Sequence, residues 1–116
     1  MIAAVEHEFD DFVGAQVEDA LQGMHVHTLF IGTDGVIAER GLTTDNVLEA
    51  GLYRSMATCA DRVVVVTDSS KIGINKLQAI LAFDDIHAFI TDSAAPPEFV
   101  KFLRERGIEV ILVPQP

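Results

Sequence analysis

The chain predicts an α/β fold: an open, mainly parallel sheet with helices on both faces. Three observations carry this. Val63–Val66 is an unbroken valine run, and a strand without apolar–polar alternation is one buried on both faces. Strand-like and helix-like segments alternate along the chain, which implies right-handed crossovers between parallel strands. Three strand-like segments close on polar clusters: Thr33-Asp34-Gly35, Asp68-Ser69-Ser70-Lys71 and Thr91-Asp92-Ser93. In a parallel sheet such clusters share one edge, the edge where open α/β sheets bind ligands.

The elements follow in order. Residues 1–13 read as an irregular or extended lead-in. Phe9, Phe12, Val13, Val17, Ala20 and Leu21 have helical spacing, and the helix is drawn from Gly14 to a terminating Gly23. His25–Ile31 is the first clear strand. Val36–Thr44, with Gly41-Leu42-Thr43-Thr44, reads as a loop. Asn46 and Glu49 are spaced as a cap pair for a helix whose apolar face is Leu48, Leu52, Met56, Cys59 and Ala60. The strand Arg62–Thr67 follows. Beyond Gly73, Lys76–Phe83 is either a short helix or an extended crossing, ended by Asp84-Asp85. Ile86–Thr91 is another buried strand. Pro96 and Pro97 open the last helix, with Phe99, Phe102 and Leu103 on its apolar side and Gly107 at its end. Ile108–Val113 is the final strand.

The 116 residues support one domain with one core, and no apolar run approaches the roughly 20 residues of a membrane-spanning helix. The opening residues lack the basic and apolar regions of a signal peptide. A single cysteine, Cys59, allows no internal disulfide and fits a reducing compartment, so a cytoplasmic location is expected. Eighteen acids against eight Lys and Arg give a formal charge of −10, which disfavours direct contact with DNA or an anionic membrane. A site for an anionic ligand must then be locally positive, with Lys71 and backbone N–H groups as the suppliers.

The cluster after the valine run carries the chemistry. Lys71 suits an anion. Ser69 and Ser70 either donate to a phosphate or cap the following turn, and Asp68 either accepts ligand hydroxyls or pairs with Lys71. Asp34-Gly35 is a common turn dipeptide, and Asp92-Ser93 before the two prolines is a helix-start signal. His25 and His27 share a strand face, but without a Cys or carboxylate at ligand spacing they predict no metal. His7 and His87 have no sequence partners, and Cys59 reads as a small packed thiol.

Taken together, FVGAQVEDAL, HTLFIGTDGVIAERGLTT, VVVVTDSSKIG, ITD and GIEVILV resemble the C-terminal effector-sensing domain of DeoR-type transcriptional repressors. The pieces agree in order and spacing from about Phe12 to Val113. The wider fold resembles ribose-5-phosphate isomerase and glucosamine-6-phosphate deaminase, a Rossmann-like three-layer arrangement, here partial. The resemblance implies a domain that binds a phosphorylated sugar or related metabolite and so relieves repression. It places Asp68, Ser69, Ser70 and Lys71 in the family's DSSK element, and Asp34 and Gly35 in an acid-bearing loop. Thr43 and Thr44 match a variable loop beside the pocket, and Asp92 shares the same sheet edge.

The family's N-terminal winged helix-turn-helix, and the opening strand and glycine-rich phosphate turn of its sensor domain, are expected to be missing. Operator DNA would be met only through a DNA-binding domain absent from this chain. Neither a cofactor nor a catalytic residue is expected. An isomerase- or deaminase-like enzyme, with Asp34 or Asp68 as base and Lys71 as oxyanion donor, is the alternative on the same fold. A third reading is an oligomerisation module, because exposed sheet edges invite pairing and repressors of this family self-associate.

Overall fold

The computed structural model describes residues 2–4 and 23–115. Eight strands and two helices of more than three residues lie among them. In chain order these are β1 (Ile2–Ala4), β2 (Val26–Ile31), β3 (Gly35–Ile37), β4 (Gly41–Thr44), α1 (Val47–Thr58) and β5 (Ala60–Val66). There follow β6 (Gln78–Leu81), β7 (Ala88–Asp92), α2 (Pro97–Glu105) and β8 (Glu109–Val113). The helix expected from Gly14 lies outside the described residues, except for Gly23, whose φ of 81° suits a helix-ending glycine.

Five strands form a parallel sheet in the order β1-β2-β5-β7-β8. The register aligns Ile31 with Val65, Val65 with Phe89 and Phe89 with Val110, so these side chains line one face. Both described helices bury their apolar sides in the core cluster that contains this face. Ala50, Leu52 and Tyr53 come from α1, and Phe99, Val100 and Leu103 from α2. Phe99 sits edge-on to Phe83 and Phe89, with ring centroids 6.1 and 6.0 Å away. Burial of each large side chain stabilises the fold by about 2 kcal/mol. The opening strand thought missing has a counterpart, because Ile2–Ala4 pairs with Thr28–Phe30 at the sheet edge.

The loop expected over Val36–Thr44 is instead two strands. With β6 they form a second, antiparallel sheet in the order β3-β4-β6. The undecided stretch Lys76–Phe83 is thereby extended in its middle. Strand β4 hides its identity in sequence because it buries hydroxyls: Thr43 and Thr44 are both 0 % exposed. Its first residue, Gly41, has φ 92° and faces the Leu81 carbonyl so closely that a Cβ would collide with it.

Asn46 caps α1 as expected, its side-chain oxygen accepting the Glu49 N–H at 3.0 Å. The buried face of α1 is rotated from the expected one. Glu49, Ala50, Leu52 and Tyr53 are buried, whereas Leu48 is 61 % exposed. The cause is tertiary, since α1 packs against the second sheet as well as the first. Pro97 opens α2, and Gly107 with φ 82° closes it. The Ile108 N–H reaches back to the Leu103 carbonyl at 3.1 Å, which satisfies an otherwise orphaned acceptor. Among the described residues no helix is long and apolar enough to cross a membrane.

Candidate functional site

Parallel strands put the ends of β2, β5 and β7 on one edge, and the three polar clusters meet there. The hinge between them is the single 3-10 turn Ser69–Lys71 that follows β5. Asp68 caps this turn: its Oδ1 accepts the Ser70 N–H at 2.9 Å and also the Ser70 hydroxyl. Asp92, at the end of β7, accepts the Ser69 N–H through Oδ2 at 2.8 Å and the Ala94 N–H through Oδ1 at 3.0 Å. Downstream of the turn, Ile72 makes a parallel bridge with Val36, and the Gly73 N–H donates to the Val36 carbonyl at 2.7 Å. The turn is thus clamped by β7 on one side and by β3 on the other.

The Asp34 cluster is brought in through that second clamp. Asp34 Oδ2 accepts the Thr44 hydroxyl at 2.6 Å, and Thr44 Oγ1 accepts the Asn46 N–H at 3.1 Å. Thr43 Oγ1 accepts the Lys76 N–H at 3.0 Å. Thr43 and Thr44 are therefore strand residues, not loop residues, and their hydroxyls face inward as supports for Asp34 and for the 75–77 segment. Gly35 lies against the Ile74 carbonyl, where a Cβ would collide. All nine residues singled out in the sequence fall on this edge or directly behind it.

Electrostatics distinguish the members. The Ser70 hydroxyl, then the Ser70 N–H, hold the Asp68 carboxyl below its ordinary range, with Lys71 adding through-space attraction. Donation from the Ser69 N–H, then from the Ser69 hydroxyl, does the same for Asp92. Both are therefore carboxylates at neutral pH. The two serine N–H groups of the turn are occupied by the Asp92 and Asp68 carboxylates, so it is Asp68 and not a serine that caps the turn. Lys71 makes no ion pair with Asp68 among the described residues. Three carboxylates and one lysine suit a ligand rich in hydroxyl groups, which donate to carboxylate oxygens, with one anionic group near Lys71.

Several supports were not legible in the sequence. The Thr33 hydroxyl donates to the Gly35 and Thr43 carbonyls at 2.8 and 3.1 Å. Arg40 holds the 75–77 segment through Asn75 Oδ1 at 2.6 Å and the Lys76 carbonyl at 2.7 Å. Asp45 accepts the Leu77 N–H at 3.1 Å. Arg40 and Asp45 meet partners more than 30 positions away, and no local pattern announces such pairs.

Residues 3–93 match the DeoR C terminal sensor domain. The chain belongs to that family. As a sensor domain it is similar to a putative aga operon transcriptional repressor of Escherichia coli O157:H7, with 40% identity over 109 residues that cover 94% of this chain and 40% of the relative. It is also similar to the HTH-type transcriptional regulator YulB of Bacillus subtilis, at 31% identity over 89% of this chain and 40% of the relative. The repressor GlcR of the same organism is 29% identical over 95% of this chain and 42% of its own length. The sensor domain spans about two fifths of the length of the curated relatives it matches. Those relatives are named as transcriptional regulators, not as enzymes.

Proposed function

We propose that this sensor domain binds a phosphorylated sugar or a related metabolite at the carboxyl edge of its parallel sheet, and that binding relieves repression by a DeoR-type regulator. Operator DNA would be met through a separate DNA-binding domain, in the cytoplasm. The single observation that carries the reading is the turn Ser69–Lys71, pinned between Asp92 and β3, which gathers Asp34, Asp68, Asp92 and Lys71 from three strand ends. Asp34, Asp68 and Asp92 would accept sugar hydroxyls, Gly35 would let the site's wall close against the Ile74 carbonyl, and Lys71 would meet the phosphate. Ser69 and Ser70 would donate once the carboxylates turn to the ligand, while Thr44 would hold Asp34 and Thr43 the 75–77 segment in place.

Thermal melting against pentose and hexose phosphates, beside the parent sugars, tests this. A ligand at 100 times its Kd raises stability by about 2.7 kcal/mol, a shift of several degrees. The expected result is a shift with one phosphorylated sugar that Asp68→Asn abolishes, and a loss of preference over the parent sugar in Lys71→Ala. A cooperatively melting protein that responds to no member of the panel overturns the reading.

Self-association through β8 is the second element of the proposal. It is an edge strand whose Ile111, Leu112 and Val113 are each at least 40 % exposed. Sedimentation equilibrium is expected to show a dimer or larger species, and a monomer at high concentration refutes this element.

A further inference from the structure

At the opposite edge of the parallel sheet, the folded chain supplies what the sequence alone withheld from the histidine pair. Val26 aligns with Ala60 and Thr28 with Arg62, so His27 of β2 and Asp61 of β5 are lateral neighbours on the same face. His25 lies two residues before His27 and shares its side of the strand. Its Nε2 is 2.8 Å from Asp61 Oδ1. The two imidazole rings stand 5.8 Å apart at 75°, and one donor atom from each of His25, His27 and Asp61 falls within 4.8 Å of the others.

We propose that His25, His27 and Asp61 form a binding site for a divalent transition-metal cation, with zinc the class member that suits the donors best. Two imidazoles and a carboxylate are borderline ligands that favour zinc over calcium or magnesium, which prefer all-oxygen sets. Tetrahedral ligands at bond lengths of about 2.1 Å lie about 3.4 Å apart, so the widest donor pair closes by about 1.4 Å at most while the His25–Asp61 pair opens slightly. His25 and Asp61 are each 60 % exposed in their side chains and can make that adjustment by rotation alone. Water would complete the coordination.

The charge around the site favours a cation. Nearby arginines are engaged elsewhere: Arg54 donates to the Ala79 carbonyl at 2.7 Å, and Arg62, on the other face, pairs with Glu109 at 2.8 Å. The net charge of −10 draws cations to the whole molecule. The site lies at the amino ends of the strands, away from the proposed effector edge, so its test is independent of that reading.

The competing account is an ordinary His25–Asp61 ion pair, in which His27 has no part. Titration of the untagged chain with zinc chloride, followed by calorimetry, separates the two. The expected result is one ion per chain with a micromolar Kd, weakened by about tenfold or more in both His27→Ala and Asp61→Asn. Imidazole NMR signals of the unsubstituted protein give a second readout that needs no variant. Zinc is expected to shift the rings of His25 and His27 and to leave His87 unmoved, since His87 Nδ1 already accepts the Val63 N–H at 3.0 Å. No heat of binding, binding unchanged by both substitutions, or ring shifts confined to other histidines overturns the proposal.

Discussion

The two sheets share one apolar core and differ in what is added to it. The parallel sheet rests on apolar volume: Leu29, Ile31, Val65 and Phe89 are at most 1 % exposed. The antiparallel sheet shares that core through Val36, Leu42 and Ile80, each at most 2 % exposed, and adds close backbone approach and buried hydroxyls, with Gly35 and Gly41 set against carbonyls and Thr43 and Thr44 fully enclosed. Both sheets are sensitive to loss of volume, and the second is sensitive to its addition as well. A candidate site assembled at their junction combines a rigid floor with a wall that depends on hydrogen bonds.

The largest expected effect tests the floor. Leu29→Ala removes a fully buried side chain and should cost about 3 kcal/mol in chemical denaturation. A loss below about 1 kcal/mol would show that the parallel sheet does not depend on packed volume. Gly41→Ala tests the wall. It forces a side chain into both a positive φ and the Leu81 carbonyl, for about 2 kcal/mol. Hydrogen exchange should then quicken in β3, β4 and β6 while β5 and β7 stay protected. Uniform quickening would make the two sheets a single cooperative unit.

Smaller effects probe the junction. Thr44→Val keeps the shape but takes the donor from Asp34 and the acceptor from the Asn46 N–H, a loss of about 1 kcal/mol. No loss would mean that Asp34 needs no support from β4. The smallest effect is a pH dependence. Asp68 and Asp92 have folded values below the ordinary 3.8, so their stabilisation is present above that value and fades as pH falls through the lower folded one. The acid limb of the stability profile should therefore be shallower in Asp92→Asn than in the parent. Identical limbs would remove Asp92 from the clamp.

Legibility in the sequence followed the same division. β2, β5, β7 and β8 came within two residues of their observed bounds because apolar runs report burial directly. The capping of α1 by Asn46 and the closing of α2 by Gly107 are local chemistry and were visible for that reason. Two of the three antiparallel strands read as a loop in the sequence because Gly-Leu-Thr-Thr carries turn-like composition and no alternation, and only the tertiary setting makes those threonines interior. The buried face of α1 departs from its sequence pattern for a related cause, since a helix wedged between two sheets buries residues that a one-sided pattern leaves out. At the site, the residues on the strand ends were readable. Arg40 and the carbonyl-facing role of Gly35 are not, because their partners lie elsewhere in the chain.

The strand order β1-β2-β5-β7-β8 has a consequence for how the chain comes to be folded. Every strand of the parallel sheet is laid beside the one that preceded it in synthesis, always on the same side. A growing chain can therefore assemble this sheet progressively, without reserving a gap for a late-arriving strand. The antiparallel sheet works differently: β3 and β4 emerge before β5, but their third partner, β6, arrives after it. The wall of the junction thus closes only once its floor is half built. Force applied at the carboxyl end would peel β8 first and reverse the sequence of assembly.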